Sequence, residues 1–454
     1  METTHPSTPF SERRSETSPV IASRRAVLGA SAFTVPAVAL SVAVPAYASS
    51  GDTVSATVSQ PRVARGGSAP VRVTVGGVSG ASAGRLVTIT ASDAAATLAQ
   101  SSGVTDSSGV FATRVSVSEG STAGTVTLTA TCDGTTGTAA FSYAAPGSPA
   151  WTAAVGGRPH GSAVSPDNTQ VALAAGDSLT IRRASDGSVI RTVASGGVPV
   201  TAVFSPDGSF VATITVNNGS QYSQSVVTIS TSSSGTVKQL VVPEGVGVSI
   251  ACSPDGSTLY AMVRADDTNG TIVAIDSTTL TRLWSVGVGT WAMKMAMSPD
   301  GSALYVVRSQ WGPSVVKVST VSQAVVGSAP LGSVADNSPP TTLVVSPDGS
   351  LVYVGLMYHL MEIDAAQMVV SRTVGAPGSG IQDIATWPNG PRLYYVDFHS
   401  SLYRVEPSTL SVALVSSTSA TQTNTDHPGL SLSPDGTRAY VALNNTNQLR
   451  AVDL

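Results

Sequence analysis

The sequence predicts an all-β chain whose C-terminal two thirds form a seven-bladed β-propeller. First, the phrase Ser-Pro-Asp-Gly stands intact at Ser205-Pro206-Asp207-Gly208, Ser253-Pro254-Asp255-Gly256, Ser298-Pro299-Asp300-Gly301, Ser346-Pro347-Asp348-Gly349 and Ser433-Pro434-Asp435-Gly436. Second, degenerate copies at Ser165-Pro166-Asp167-Asn168 and Trp387-Pro388-Asn389-Gly390 complete a series with offsets of 40, 48, 45, 48, 41 and 46 residues. Repeats of that period are the mark of four-stranded blades. Third, only 11% of the 454 residues are charged, and no run after residue 50 keeps apolar residues at helical spacing.

The phrase itself is turn chemistry. Proline presets φ at the second position, Asp bonds its own backbone, and Gly or Asn takes the left-handed conformation that closes the hairpin. Each copy is read as the hairpin between the first and second strands of a blade, and its carboxylate as structural.

The N-terminus reads as an address. Ser23-Arg24-Arg25-Ala26-Val27-Leu28 resembles a twin-arginine export motif, followed by a weakly apolar run to Val44 and a cleavage site at Ala46-Tyr47-Ala48. The competing membrane-anchor reading is disfavoured by Pro36 and by the small-residue cleavage pattern. Removing residues 1–48 takes four arginines and three glutamates from 24 basic and 28 acidic residues, leaving a net charge of −5. That balance, without a basic cluster, excludes nucleic acid as the natural partner. The mature chain is expected to be extracellular or at the cell surface, exported by the twin-arginine route, monomeric and without a transmembrane segment.

Residues 49–145 carry short strands between Gly- and Ser-rich turns, as in an Ig-like β-sandwich. Gly103-Val104-Thr105-Asp106-Ser107-Ser108-Gly109-Val110-Phe111 and Gly124-Thr125-Val126-Thr127-Leu128-Thr129-Ala130 resemble bacterial invasin-like Ig-fold modules, which implies a spacer or adhesive role. A linker is expected over 146–150, and the propeller over 151–454. Within the propeller, Thr271-Ile272-Val273-Ala274-Ile275-Asp276-Ser277-Thr278-Thr279-Leu280 and Leu351-Val352-Tyr353-Val354 resemble the YVTN repeat family, a resemblance that implies fold more than activity. The seventh repeat stops after its third strand, so Trp151 to Val155 is expected to supply the fourth and close the ring, protecting two open edges.

Cys132 and Cys252 fall in different domains, which makes a bridge between them improbable, and Cys252 reads as a packed strand residue. The family resemblance implies that ligands bind at the channel mouth. The fourth residue before each turn should ring it: Gly161, Thr201, Ser249, Lys294, Thr342, Asp383 and Gly429. Four histidines map to the same face, His160 and His427 in loops entering blades 1 and 7, His359 and His399 in turns between the second and third strands of blades 5 and 6. They could ligate a divalent metal or serve as acid and base, but their spacing matches no ligand pattern and exposed loop residues are the simpler account. Trp311, in a longer loop of blade 4, suits a glycan or protein contact. Gly176-Asp177-Ser178-Leu179 matches the GDSL esterase signature only as a string and reads as a hairpin.

No cofactor motif is visible. The function expected is therefore a noncatalytic envelope protein engaging a protein or glycan ligand through the propeller's loop face. The alternative is a propeller enzyme, a metal-dependent lactonase or a lyase, acting at the channel mouth.

Overall fold

The computed structural model describes residues 53–454 except 60–61, 64, 67, 78–81, 119–120, 122, 144–146, 217–223, 266–268, 311, 388–391, 418–428 and 445. Trp311, His427 and most of the turn at Trp387 to Gly390 lie outside the described residues, as do large parts of the loops at 217–222 and 264–269. The described chain is all-β, with repeated four-stranded antiparallel sheets consistent with a propeller.

Between residues 53 and 143, two four-stranded sheets share one core. One runs Thr53–Val58, Ser68–Gly76, Val110–Val117, Ala96–Leu98, and the other Ser102–Val104, Leu86–Ala91, Gly124–Cys132, Thr135–Tyr143. Along Ser68–Gly76 alternate side chains are buried, as a half-buried strand requires. Val71, Val73, Val87, Phe111, Val115, Leu128 and Phe141 fill the space between the sheets.

From residue 149 onward the four-stranded sheets follow one another. Sheets I to VI begin with Pro159–Val164, Val198–Phe204, Val246–Cys252, Ala292–Met297, Pro340–Val345 and Ile381–Thr386. In each, the next three strands follow in chain order. Sheet VII is made of Leu430–Leu432, Arg438–Leu443, Gln448–Asp453 and, from the other end, Pro149–Ala154. Pro149 and Ala150, assigned to the linker by sequence, thus belong to a strand. A proline is tolerated there because it occupies the first position, where no ladder donor is needed. Trp151 holds this strand in place by donating its indole N–H to the Ala184 carbonyl at 3.0 Å and leaning on Tyr440.

Hydrophobic clusters lie between consecutive sheets. Ala172, Ile181, Phe204 and Val211 join I to II, and Leu173 and Val171 meet Tyr440 and Leu449 between I and VII. Second strands such as Gln170–Ala175 are therefore buried on both faces, whereas fourth strands such as Val189–Ala194 are mostly exposed. A six-residue helix, Gly332–Asn337, inserts before sheet V and buries Ala335. Among the described residues, no helix is long and apolar enough to cross a membrane.

The repeated phrase forms the turn its chemistry dictates. Gly208, Gly256, Gly301, Gly349 and Gly436 have φ between 70° and 76°, and the N–H of Gly208 donates to Ser205 O at 2.9 Å. In the turn at Ser298, the hydroxyl donates to Asp300 Oδ1 at 2.6 Å, and Asp300 accepts the Ser302 N–H at 3.0 Å. The carboxylate is turned back on its own loop.

The two-sheet region touches sheet VII through an ion pair and sheet VI through a hydrogen bond. Arg62 pairs with buried Asp453, which Arg438 also approaches at 3.4 Å, and Arg392 donates to the Arg65 carbonyl at 3.3 Å. Neither cysteine is in a disulfide; Cys132 is buried and Cys252 half-buried, and burial pushes the Cys252 thiol up to about 12.

Candidate functional site

The first strands of the sheets lie side by side, and those of VII and I are also neighbours. Their approach is close: a Cβ on Gly161 would meet Thr201 at 2.9 Å, and one on Gly429 would meet the His160 carbonyl at 2.6 Å. Glycine is needed where two backbones pack at that distance. Ser162 and Ser431 hydroxyls bond across the same junction at 2.7 Å.

At the end of these strands opens a cavity of about 170 Å³. Every sheet contributes to its wall: His160 and Gly161, Val200 and Thr201, Val248, Met293 and Lys294, Thr341, Gln382 and Asp383, and Gly429. Five of these residues share one irregularity. Val200, Val248, Met293, Thr341 and Gln382 are each skipped in the pairing of the first strand with the second. Such a bulge breaks the period of two and re-aims a side chain. In sheets II, IV and VI, two consecutive residues consequently face the same cavity, where a regular strand would send one away.

Lys294 and Asp383 meet across sheet V, Nζ to Oδ1 3.0 Å. The Asp383 side chain also accepts from Thr342 Oγ1 at 3.1 Å, from the Ile384 N–H at 3.0 Å and from the Leu430 N–H at 2.9 Å. Its partners come from sheets IV, V, VI and the entry to VII, so one buried carboxylate stitches four consecutive sheets. Charge-assisted hydrogen bonds of this kind are strong and leave little acceptor capacity.

His160 is the second residue of its strand and not, as expected from sequence, in the preceding loop. The extra residue taken up by the irregular pairing between Pro159 and Ser162 draws it into the sheet. Burial, aided by the nearby Arg158 charge, holds its imidazole below the usual histidine range, so it is neutral at pH 7. His359 begins the third strand of sheet V, and exposed His399 lies in the connection after Asp397 in sheet VI. Neither lines the cavity. Of the ring positions read from the repeat, Gly161, Thr201, Lys294, Asp383 and Gly429 are in the wall; Ser249 and Thr342 are replaced there by their bulged neighbours Val248 and Thr341. Among the described residues, no group of three or more His, Cys, Asp or Glu side chains is placed to hold a metal ion.

No family model matches the chain, and no curated protein matches it. Among solved structures it is similar to Kuenenia stuttgartiensis hydrazine synthase, with a TM-score of 0.54 and 20% identity over 65% of this chain and 95% of that one. At that identity the likeness is one of fold.

Proposed function

We propose that this chain is an exported, noncatalytic binding protein of the cell envelope. An Ig-like module at 49–145 presents a seven-bladed propeller at 151–454 of the YVTN type, closed by pairing of its two ends, whose mouth engages a protein or glycan. The two sheets around one core at 53–143 support the first part, and the pairing of Pro149–Ala154 with Gln448–Asp453 supports the closure. The chain acts outside the cytoplasm, as a monomer.

The observation that carries the binding reading is the state of Asp383. A general base or nucleophilic carboxylate needs a free lone pair facing its substrate, whereas this one is consumed by Lys294, Thr342, Ile384 and Leu430. Beside the Lys294–Asp383 pair the wall offers the His160 imidazole, hydroxyls, an amide and apolar side chains, which suit recognition.

One observation favours the second reading, an enzyme working at the mouth: neutral His160 shares the cavity with Lys294. A single experiment separates the two. Mature protein is mixed with isolated envelopes and, separately, with a panel of lactones and esters. Saturable retention without turnover supports the binder; turnover that disappears in His160→Ala and Asp383→Asn supports the enzyme.

A further inference from the structure

We infer that the cavity is a socket for one phenol ring, the side chain of a tyrosine presented by a partner protein. The inference rests on the binding reading above and chooses the protein partner over the glycan.

Size comes first. The cavity measures about 170 Å³, and an engineered protein cavity of about 150 Å³ admits benzene. That is room for a flat six-membered ring with one small substituent, and the open end takes the stem that joins it to a chain. A sugar ring, thicker and hydroxylated on all sides, does not fit.

The wall is divided as such a ring requires. Val200, Val248 and Met293, from sheets II, III and IV, are half-buried and give one side an apolar surface. Beside them, His160 and Thr201 form a polar corner: a Cβ on Gly161, the residue after His160, would lie 2.9 Å from Thr201 Oγ1. Among the described residues no group hydrogen-bonds the His160 ring or Thr201 Oγ1, yet neither is sealed from solvent. Both are therefore open to the cavity they line.

A phenol hydroxyl is one donor and one acceptor. His160 is uncharged at pH 7, so one of its nitrogens accepts the phenol proton, while the Thr201 hydroxyl donates to the phenol oxygen. Elsewhere on the wall Lys294 is held by Asp383 at 3.0 Å, and the pair carries no net charge. A phenol, neutral below its pKa of about 10, asks for no counter-ion.

The rim points to a protein. Tyr358 is 52% exposed in the turn between the second and third strands of sheet V, at the end where Leu356 pairs with Pro340 beside Thr341. The equivalent turn of sheet VI holds Phe398. A Cβ on Gly380 would lie 2.9 Å from the Met357 carbonyl and 3.1 Å from the Phe398 ring. Gly380 is two residues ahead of Gln382 in the cavity wall, so aromatic surface flanks the mouth on one side. Aromatic rings around a pocket that seats a single side chain are the pattern of a protein interface, where tyrosine is a common anchor.

The test is calorimetry and saturation-transfer NMR on the mature chain with N-acetyltyrosinamide, its phenylalanine and O-phosphotyrosine counterparts, p-cresol, and a capped glycyl-tyrosyl-glycine peptide. The tyrosine amide is expected to bind in the millimolar range, roughly fivefold or more tighter than the phenylalanine amide. The peptide should bind at least as tightly as p-cresol, because its flanks meet the rim. Thr201→Val keeps the shape and removes the donor. It should weaken the tyrosine amide about threefold or more and leave the phenylalanine amide unchanged. Val248→Phe, which fills the socket from a half-buried wall position, should abolish binding of both and serves if Thr201→Val does not fold. No binding of the tyrosine amide, equal or tighter binding of the phenylalanine or phosphotyrosine amide, or unchanged affinities in the variants overturns the inference. So does tighter binding of p-cresol than of the peptide, which would make a free phenol the ligand. If it falls in any of these ways while the mature chain still binds envelopes saturably, the binding function stands with a different ligand. Tyrosine binding without envelope binding keeps the socket and moves the partner protein outside the envelope.

Discussion

Lys294 and Asp383 face each other at 3.0 Å across a sheet that contributes neither of them. Because Asp383 also takes hydrogen bonds from Thr342 and from the backbone of Leu430, the pair binds consecutive sheets to one another beside the cavity. Removing the carboxylate leaves a lysine and three further donors short of an acceptor. Asp383→Ala is therefore expected to cost about 3 kcal/mol, and Lys294→Met less, since the lysine is one third exposed. A double-mutant cycle in chemical denaturation should give coupling between them above the roughly 0.5 kcal/mol seen for independent sites.

Acid stability should follow the turns. Serine hydroxyls, then backbone N–H groups, hold the carboxyls of Asp207, Asp255 and Asp348 below the usual range, and that of Asp300 at about 2. A carboxyl whose folded pKa is depressed stabilises the fold above its unfolded value of about 3.9 and loses that contribution as pH falls through the folded value. The thermal midpoint is expected to stay level from neutrality to roughly pH 4 and then fall toward pH 2. Asp300→Asn should lower the midpoint by a few degrees at pH 7 and narrow the difference between pH 7 and pH 2.

Gly429 is a steric requirement. Its Cβ would lie 2.6 Å from the His160 carbonyl and 3.0 Å from Gly161 Cα, both backbone atoms that cannot step aside. Gly429→Ala should destabilise by about 1–3 kcal/mol in a denaturant titration. The same change at Gly287, where no atom lies within 4 Å, should be far milder.

Arg62 reports on the contact between the two-sheet region and sheet VII. It shares buried Asp453 with Arg438, so its loss leaves the carboxylate one partner. Arg62→Ala should cost about 1–2 kcal/mol and increase proteolysis near residues 144–148, read by limited digestion and mass spectrometry.

The repeat phrase made the sheet count and the ring positions readable, because proline, aspartate and glycine each have a local conformational demand that sequence displays. Lys294 and Asp383 were found that way. Gln382, Thr341 and Val248 were not, because bulges carry no such mark: the skipped residues are Val, Val, Met, Thr and Gln, and those before them Pro, Gly, Ala, Pro and Ile. The bulge is visible only in how the first strand pairs with the second, which no local pattern records. His359 and His399 illustrate the reverse. Sequence puts them at the same end of the sheets as His160, but only the three-dimensional position of each strand decides which side chain reaches the cavity.

Under the function proposed above, the mouth binds a ligand without turning it over. The most direct measurement is saturable binding of mature protein to isolated envelopes, compared between the wild type and Val248→Arg, which puts a long charged side chain at the cavity wall. Binding is expected in the wild type, with a loss of roughly tenfold or more in the variant and unchanged circular dichroism. Equal binding by both proteins would contradict it, as would turnover of the envelope component that the variant abolishes.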